Sequence, residues 1–433
     1  MASFAVRNFG CRVNQAEAFA WADAFRERGF RLDEDWARSD VVVVNSCALT
    51  GRAERDVRKF IRAVHRGNPG TKIVVTGCYA ERAPAEIAAL PGVVSVLPQS
   101  AKDGIADRVM ALEGLEAVSD RAGTIGRKAR ADPAADADGG ASLRARGYLK
   151  IQDGCDNRCA YCIIPSVRGR SRSVPPDDVA AAVGGLAGRG FREIVLAGIH
   201  LSSYGEDLTP RGSLLGLLHK LGQAAGPARL RLSSLDPRRT DDALLTRIAG
   251  DTRICPHVHL SLQHASRRIL GLMGRSVEAD SYERIVDEMA RLSPEAALGA
   301  DVMVGFPGEA EADFEELRRF IERSALTYVH VFSYSPRPGT PAAARPQMPA
   351  GVVTERAKAL RRLSALKDFR FRRRFLGRAL EAVVIDRSDK GAEVLTGNFV
   401  SVRVPSCPAP ERELVRVSIR RVLPRRTEGE IVP

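Results

Sequence analysis

Cys155, Cys159 and Cys162 lie in the run GCDNRCAYC, three thiols within eight residues and with no fourth cysteine beside them. A structural zinc or an electron-transfer cluster is normally closed by four protein ligands. Three leave one metal position open. In a four-iron, four-sulfur (4Fe-4S) cluster that open iron can bind a small molecule, and reduction then places an electron beside it. A zinc knuckle completed by a distant ligand, with His200, His257 and His259 as candidates, is the competing reading.

Cys11, Cys47 and Cys78 form a second trio, spaced 36 and 31 residues apart. Each follows a short apolar run: FAVRNFGC, VVVVNSC and KIVVTGC. Such runs predict buried parallel strands, with amphipathic helices between them over residues 16–28 and 52–66. The carboxyl ends of parallel strands share one edge of a sheet, so three thiols at three such ends should converge there. Gly10 and Gly77 suit the tight turns required. Three unrelated core thiols are the plainer alternative, since free Cys is often a small buried residue. Cys255 and Cys407 fit neither trio and are read as bystanders.

The elements that must position these thiols fall into three blocks. Residues 1–106 form an α/β unit, the parallel βα cluster domain, and residues 107–140, ending in ADPAADADGGAS, are expected to be a linker. Over residues 141–374 short apolar strands (YLKIQ, EIVLAGIH, RLRLSS, HVHLSLQ, ALGADVMVGF, YVHVFSY) alternate with helices expected at 177–189, 213–223, 241–249, 281–292 and 311–323. Six strand–helix repeats predict a partial (β/α)6 barrel with a lateral opening and chemistry at the strands' carboxyl ends. There Gly198, His200, Ser233, Ser234 and Gln263 can point inward, whereas Arg168, Arg170 and Arg172 are candidates for a cofactor carboxylate or RNA phosphate. Residues 375–433 alternate like a small all-β barrel of the oligonucleotide-binding kind, with RRTEGEIVP reading as a frayed end.

The 433-residue chain carries a net charge of +13 and a pI near 9.7, which favours a polyanionic partner. Basic residues concentrate over 355–378, read as a long helix. Leu360, Leu363, Leu366, Phe369 and Phe371 would face the protein, leaving Arg361, Arg362, Arg370, Arg372, Arg373 and Arg374 partly available to phosphates. Eight scattered cysteines exclude a small disulfide scaffold. With neither a secretion signal nor an apolar run long enough to span a bilayer, the chain is placed in the cytoplasm, off the membrane.

The CxxxCxxC spacing, with Tyr161 before its last cysteine, resembles the radical S-adenosylmethionine (SAM) superfamily. Together with GCRVNQAE, VVVVNSCALT, VVTGCYA, GCDNRCAYCIIPSVRGRSRS, DVMVGFPGE and FSYSPRPGTPAA, it makes the chain resemble the methylthiotransferase family from end to end. GCRVNQAE and AGIHLSSYGED are most like its MtaB branch, which acts on N6-threonylcarbamoyladenosine in tRNA. The resemblance implies a cluster domain, a radical SAM core and a TRAM-like barrel. It also implies two 4Fe-4S clusters: one on Cys155, Cys159 and Cys162 that generates the radical from SAM, and a second on Cys11, Cys47 and Cys78 that carries sulfur. Tyr161, Gly198, Ser234, Gln263, Asp301 and Gly305 are the candidate SAM contacts. The partners implied are a tRNA anticodon loop and an electron donor such as flavodoxin or ferredoxin, with the sulfur donor left open. Relatives acting on isopentenyladenosine or on a ribosomal-protein aspartate, and a noncatalytic metal-stabilised RNA-binding protein, are the alternatives.

Overall fold

The structure, a computed structural model, describes residues 2–33, 35–112, 145–275 and 279–433. The amino-terminal block is a five-stranded parallel sheet in the order β2-β1-β3-β4-β5, formed by β1 (Ser3–Asn8), β2 (Arg31–Leu32), β3 (Val41–Ser46), β4 (Lys72–Gly77) and β5 (Val93–Val96). Side chains alternate across a strand, and the central strand β3 shows the consequence of having both faces covered. Val41 and Val43 pack with Trp21 and Phe25 of helix α1 (Arg12–Glu27), whereas Val42 and Val44 pack with Val57, Ile61 and Val64 of α2 (Gly51–Gly67). Thr50 caps α2 by accepting a hydrogen bond from the Ala53 N–H. Short helices α3 (Cys78–Arg82), α4 (Pro84–Ala88) and α5 (Ile105–Met110) complete the block. Helix α5 runs past the point where the linker is expected to begin, and residues 113–140 of that stretch lie outside the described residues.

The central block has six parallel strands: β6 (Gly147–Asp153), β8 (Glu193–Gly198), β9 (Arg229–Leu232), β10 (His257–Gln263), β11 (Ala297–Val304) and β12 (Tyr328–Ser333). A two-residue strand β7 (Arg172–Ser173) pairs antiparallel with the end of β6. Strands β9 and β10 meet only through isolated bridges at Leu230–Ile254 and Leu235–Leu260, and β6 and β12 leave the barrel open between them. Helices α6 (Ile164–Arg168), α7 (Pro176–Gly188), α8 (Leu214–Ala224), α9 (Asp242–Gly250), α10 (Arg267–Leu272), α11 (Ala279–Leu292) and α12 (Glu311–Arg323) follow the strands. The two blocks share one core. Val13, Ala16 and Phe19 of α1 pack with barrel residues, and the Phe19 ring meets Phe191 edge-on at 5.4 Å.

The carboxy-terminal block closes as a five-stranded barrel in the order β13-β14-β15-β17-β16: β13 (Ala379–Ser388), β14 (Gly391–Thr396), β15 (Ser401–Val404), β16 (Leu414–Leu423) and β17 (Arg426–Val432). The segment RRTEGEIVP is not frayed: it supplies β17, which pairs with β16 and touches β15. Gly429 permits this, because a Cβ there would lie 2.5 Å from the Ser418 carbonyl oxygen.

Helix α13 (Ala350–Arg373) starts and ends earlier than expected and packs along β12. Two of its residues depart from their expected roles. Leu366 is exposed, and Arg372 is buried, donating to the carbonyls of Leu423, Pro424 and Arg426 and to Thr427 Oγ1. Arg372 therefore satisfies the β16–β17 turn from beneath and is not available to phosphates. Replacing Arg372 by Ala strands those carbonyls, and we expect a loss of about 3 kcal/mol in thermal unfolding. Arg373→Ala at the exposed neighbouring position should change stability by less than about 0.5 kcal/mol.

Candidate active site at two cysteine trios

The amino-terminal trio is gathered as the strand pattern requires. Cys11 caps α1 after β1, Cys47 follows β3, and Cys78 opens α3 directly after β4. Gly10 has φ 130°, and a Cβ there would lie 3.2 Å from Cys47 Sγ. Gly77, with φ 100°, lets the ends of β3 and β4 close up, since a Cβ would sit 2.4 Å from the Ser46 carbonyl oxygen. All eight cysteines are free thiols. Burial pushes Cys47 up to about 12 and raises Cys11, so these thiols hold their protons until a metal ion compensates the sulfur charge.

The second trio lies on the loop after β6. Gly154, at φ 70°, is needed because a Cβ would strike the Arg170 carbonyl oxygen at 1.9 Å. The loop is pinned by backbone bonds from Cys155 N–H to Gly169 O, from Ala160 N–H to Met273 O and from Ala342 N–H to Ala160 O. Burial pushes Cys162 up to about 12 and raises Cys155. Tyr161 packs with Ile269, Met273, Phe306 and Ala342. Each trio is a three-sulfur donor set of the kind that holds a metal cluster with one position open. Cys255 and Cys407 are buried away from both, against Glu193 and the Ala409 carbonyl.

One side chain connects the two regions. Arg168, at the end of α6 and only 3% exposed, donates from Nε to Cys78 Sγ at 3.2 Å. Its Nη1 reaches Asp153 at 2.8 Å and Glu17 at 3.0 Å, and its Nη2 reaches Asn14 Oδ1 at 2.7 Å. That same Asn14 oxygen accepts from Cys11 Sγ at 3.3 Å. Arg168 is thus committed to the interior and is not free for a phosphate or cofactor carboxylate, whereas the Arg170 side chain is exposed. Buried Glu17 also receives Lys102 Nζ at 2.7 Å and Lys150 Nζ at 3.4 Å. Burial alone would raise the Glu17 carboxyl; Arg168, Lys102 and Lys150 reverse this and hold it well below the usual carboxylate range.

At the carboxyl ends of the barrel strands, Gly198 packs against Gln152, whose Oε1 accepts the His200 N–H at 2.8 Å. His200 Nε2 lies 3.2 Å from Asp236 Oδ2, and Asp236 in turn receives Arg275 Nη2 at 3.2 Å and a bond from Arg238. Arg275 also reaches Cys159 Sγ at 3.9 Å. Ser234 ends β9 half-buried, and Gln263 ends β10 with φ 72°, a strained value for a residue with a side chain. Asp301 lies deeper, held by His259 Nε2 at 3.0 Å and His330 Nδ1 at 3.4 Å. Gly305 donates its N–H to Glu309 Oε2 at 2.7 Å, and its missing Cβ makes room for Val353 of α13. Sequence reasoning stops at Ser234 and misses Asp236, two residues on in LDPRR and legible as a strand-end acid. Arg275 carries no sequence signal, and Asn14 and Glu17, although within GCRVNQAE, show their role beside the thiols only in the tertiary fold.

A depressed carboxylate contributes stability that is fully present above its unfolded value, about 4.3 for Glu, and is lost as pH falls towards its folded value. Glu17→Gln should therefore cost the metal-free protein about 3 kcal/mol or more at pH 7, because it leaves buried Arg168 and Lys102 short of a partner. The wild-type advantage should shrink as pH falls below about 4.3. Urea unfolding at the two pH values checks both signs.

Comparison with known proteins places this geometry. Residues 3–98 match the model of an uncharacterized protein family, UPF0004, and residues 149–321 match that of the radical SAM superfamily. The chain is 34% identical to the threonylcarbamoyladenosine tRNA methylthiotransferase MtaB of Thermotoga maritima, over 87% of this chain and 85% of that protein. It is 35% identical to the MtaB of Aquifex aeolicus, over 92% and 96%. The ribosomal protein uS12 methylthiotransferase RimO of Anaeromyxobacter is 33% identical over 90% and 83%. Among solved structures, the radical SAM methyltransferase TsrM of Kitasatospora setae shares the fold with a TM-score of 0.55 at 14% identity, covering 79% of this chain and 75% of that one. Near-complete mutual coverage at these identities, on a chain that brings both cysteine trios to strand ends, shows that the protein belongs to the methylthiotransferase family of radical SAM enzymes and closely matches its MtaB branch.

Proposed function

We propose that this enzyme inserts a methylthio group at carbon 2 of N6-threonylcarbamoyladenosine, next to the anticodon of tRNA. The observation that carries the reading is the pair of three-thiol sites, the first of them held to the barrel by Arg168 through Cys78 and Glu17, in a chain similar throughout to MtaB enzymes. Cys155, Cys159 and Cys162 would hold one 4Fe-4S cluster with SAM, and Cys11, Cys47 and Cys78 a second. The chemistry of the donor sets supports this reading: three thiols each, with the cations Arg275 and Arg168 directed at Cys159 and Cys78. Bound there, such clusters with SAM supply hydrogen abstraction from an aromatic C–H and a sulfur to replace it, chemistry that no side chain offers.

The chain's own residues bind, orient and shield. Tyr161, Gly198, Ser234, Gln263, Asp301 and Gly305 remain the candidate SAM contacts, and Asp236 with His200 joins them at the strand ends beside Asn157 of the cysteine loop. Between β12, α13 and the carboxy-terminal barrel runs a cleft of about 700 Å³ bordered by Tyr328, His330 and Phe399. Lys390, Arg403 and Arg425 line its outer part. A nucleotide turned out of the anticodon stack would enter here, its backbone tracked by the basic rim and its base facing the aromatic floor. An electron donor of the flavodoxin or ferredoxin kind and a cytoplasmic setting belong to the same reading. Among the described residues no helix is long and apolar enough to cross a membrane.

Nucleoside mass spectrometry of tRNA from a strain lacking this gene should show threonylcarbamoyladenosine without its methylthio group, restored by the wild-type gene and not by Cys159→Ala. Persistence of the modified nucleoside in the deletion strain overturns the substrate assignment. Replacing Lys390, Arg403 and Arg425 together by Ala should weaken tRNA binding and reduce the slope of log K against log salt by about 0.7 per lost phosphate contact. Anisotropy titrations at several salt concentrations read this directly, and an unchanged slope removes the cleft from the RNA path.

A further inference from the structure

Among the described residues the buried cations are paired with anions or carbonyls. Arg168 and Lys102 share Glu17, Arg231 takes Glu193, Arg275 takes Asp236, Arg337 takes Glu54 and Arg356 takes Glu309. Arg12 is different. Among the described residues its guanidinium has no carboxylate and no hydrogen-bond acceptor; its one close contact is the face of the Phe399 ring at 5.8 Å. It is the residue directly after Cys11 and the first of α1, so it is fixed relative to the amino-terminal trio.

The surroundings of Arg12 make the missing anion more conspicuous. The groups acting on it are Tyr148 on one edge strand of the open barrel, Tyr328 on the other, and two further cations, Arg146 and Arg231. The nearby acids are already matched: Glu193 by Arg231, Arg229 and Arg146, and Asp301 by His259 and His330. Burial and the neighbouring cations disfavour the charge on Arg12. Arg12 is half-buried, and a cation partly withdrawn from water without a counter-ion is a place where an anion from outside the chain is favoured. Phe399, which the Arg12 guanidinium touches, also borders the cleft with Tyr328 and His330.

We propose that Arg12 is a specificity residue which receives the carboxylate carried on the N6 substituent of the substrate base. The inference rests on the substrate reading above and deepens it, by naming the group that tells a charged N6 substituent from a neutral one. A planar guanidinium offers two parallel N–H donors to a carboxylate, and Phe399, Tyr148 and Tyr328 stand near the Arg12 side chain. A backbone phosphate shares that anionic chemistry, but Arg12 directly follows Cys11 and its guanidinium lies over Phe399.

The test uses the cluster-loaded full-length enzyme as wild type, Arg12→Gln and Arg12→Lys, with an anticodon stem-loop bearing threonylcarbamoyladenosine and the same stem-loop with plain adenosine. Arg12→Gln should raise KM for the modified stem-loop roughly 10- to 100-fold, leave the Kd for the plain one unchanged, and raise Tm, since it removes a half-buried charge that has no counter-ion. Arg12→Lys, which keeps the charge but not the fork, should fall between. Equal weakening on both stem-loops identifies a phosphate contact and overturns the inference, as does an unmoved KM or a lowered Tm with KM restored by neither variant. A wild-type enzyme inactive on the modified stem-loop overturns the substrate reading and this inference with it; an active wild type with an indifferent Arg12→Gln overturns the inference alone.

Discussion

The docking of the amino-terminal block on the barrel beside the first thiol trio depends on the Arg168 guanidinium, which bonds Glu17 and Asn14 of the one, Asp153 of the other and Cys78 Sγ at once. Its charge is buried, so it persists only where anions surround it. Glu17 on α1 and Asp153 at the end of β6 supply them, and Lys102 and Lys150 pair with the same carboxylates. The result is a charge network that is satisfied only when α1 lies against β6. A parallel sheet and an open barrel could dock at many angles through apolar contact; directional ion pairs select one.

The same logic fills the barrel. Its interior is polar, with Glu193 and its arginines, the His257–Tyr328–His259 bonds, and Asp301 between two histidines. Such an interior costs folding energy that an apolar filling would not, which is reasonable for a cavity that must accept a polar base. The carboxy-terminal barrel is part of this arrangement. The Leu395 carbonyl accepts from Arg229 and the Thr396 carbonyl from Arg231, and Phe399 stacks on His257 at 4.4 Å.

Much of this was legible in the sequence for a geometric reason. Strand ends in a parallel sheet share an edge, so Cys11, Cys47 and Cys78 converge from their phase alone, and six strand–helix repeats imply an open barrel. The failures share another cause. Arg168 in VRGRSRS reads as a candidate for a cofactor carboxylate or RNA phosphate because its partner Glu17 is 151 residues away. Arg372 reads as a phosphate ligand because the carbonyls it satisfies belong to a turn about fifty residues later. RRTEGEIVP reads as frayed because Gly429 breaks the alternation at the place where the backbones must approach. Local pattern reveals elements; long-range charge pairing and close packing are invisible to it.

The central claim is that each trio of thiols holds its own cluster across the Arg168 junction. Mössbauer spectroscopy of anaerobically reconstituted Cys47→Ala, compared with wild type, addresses it most directly. The variant should retain about half of the iron, in a single cluster type that still shifts on addition of SAM. Retention of all the iron, loss of all of it, or a remaining signal indifferent to SAM would contradict the account.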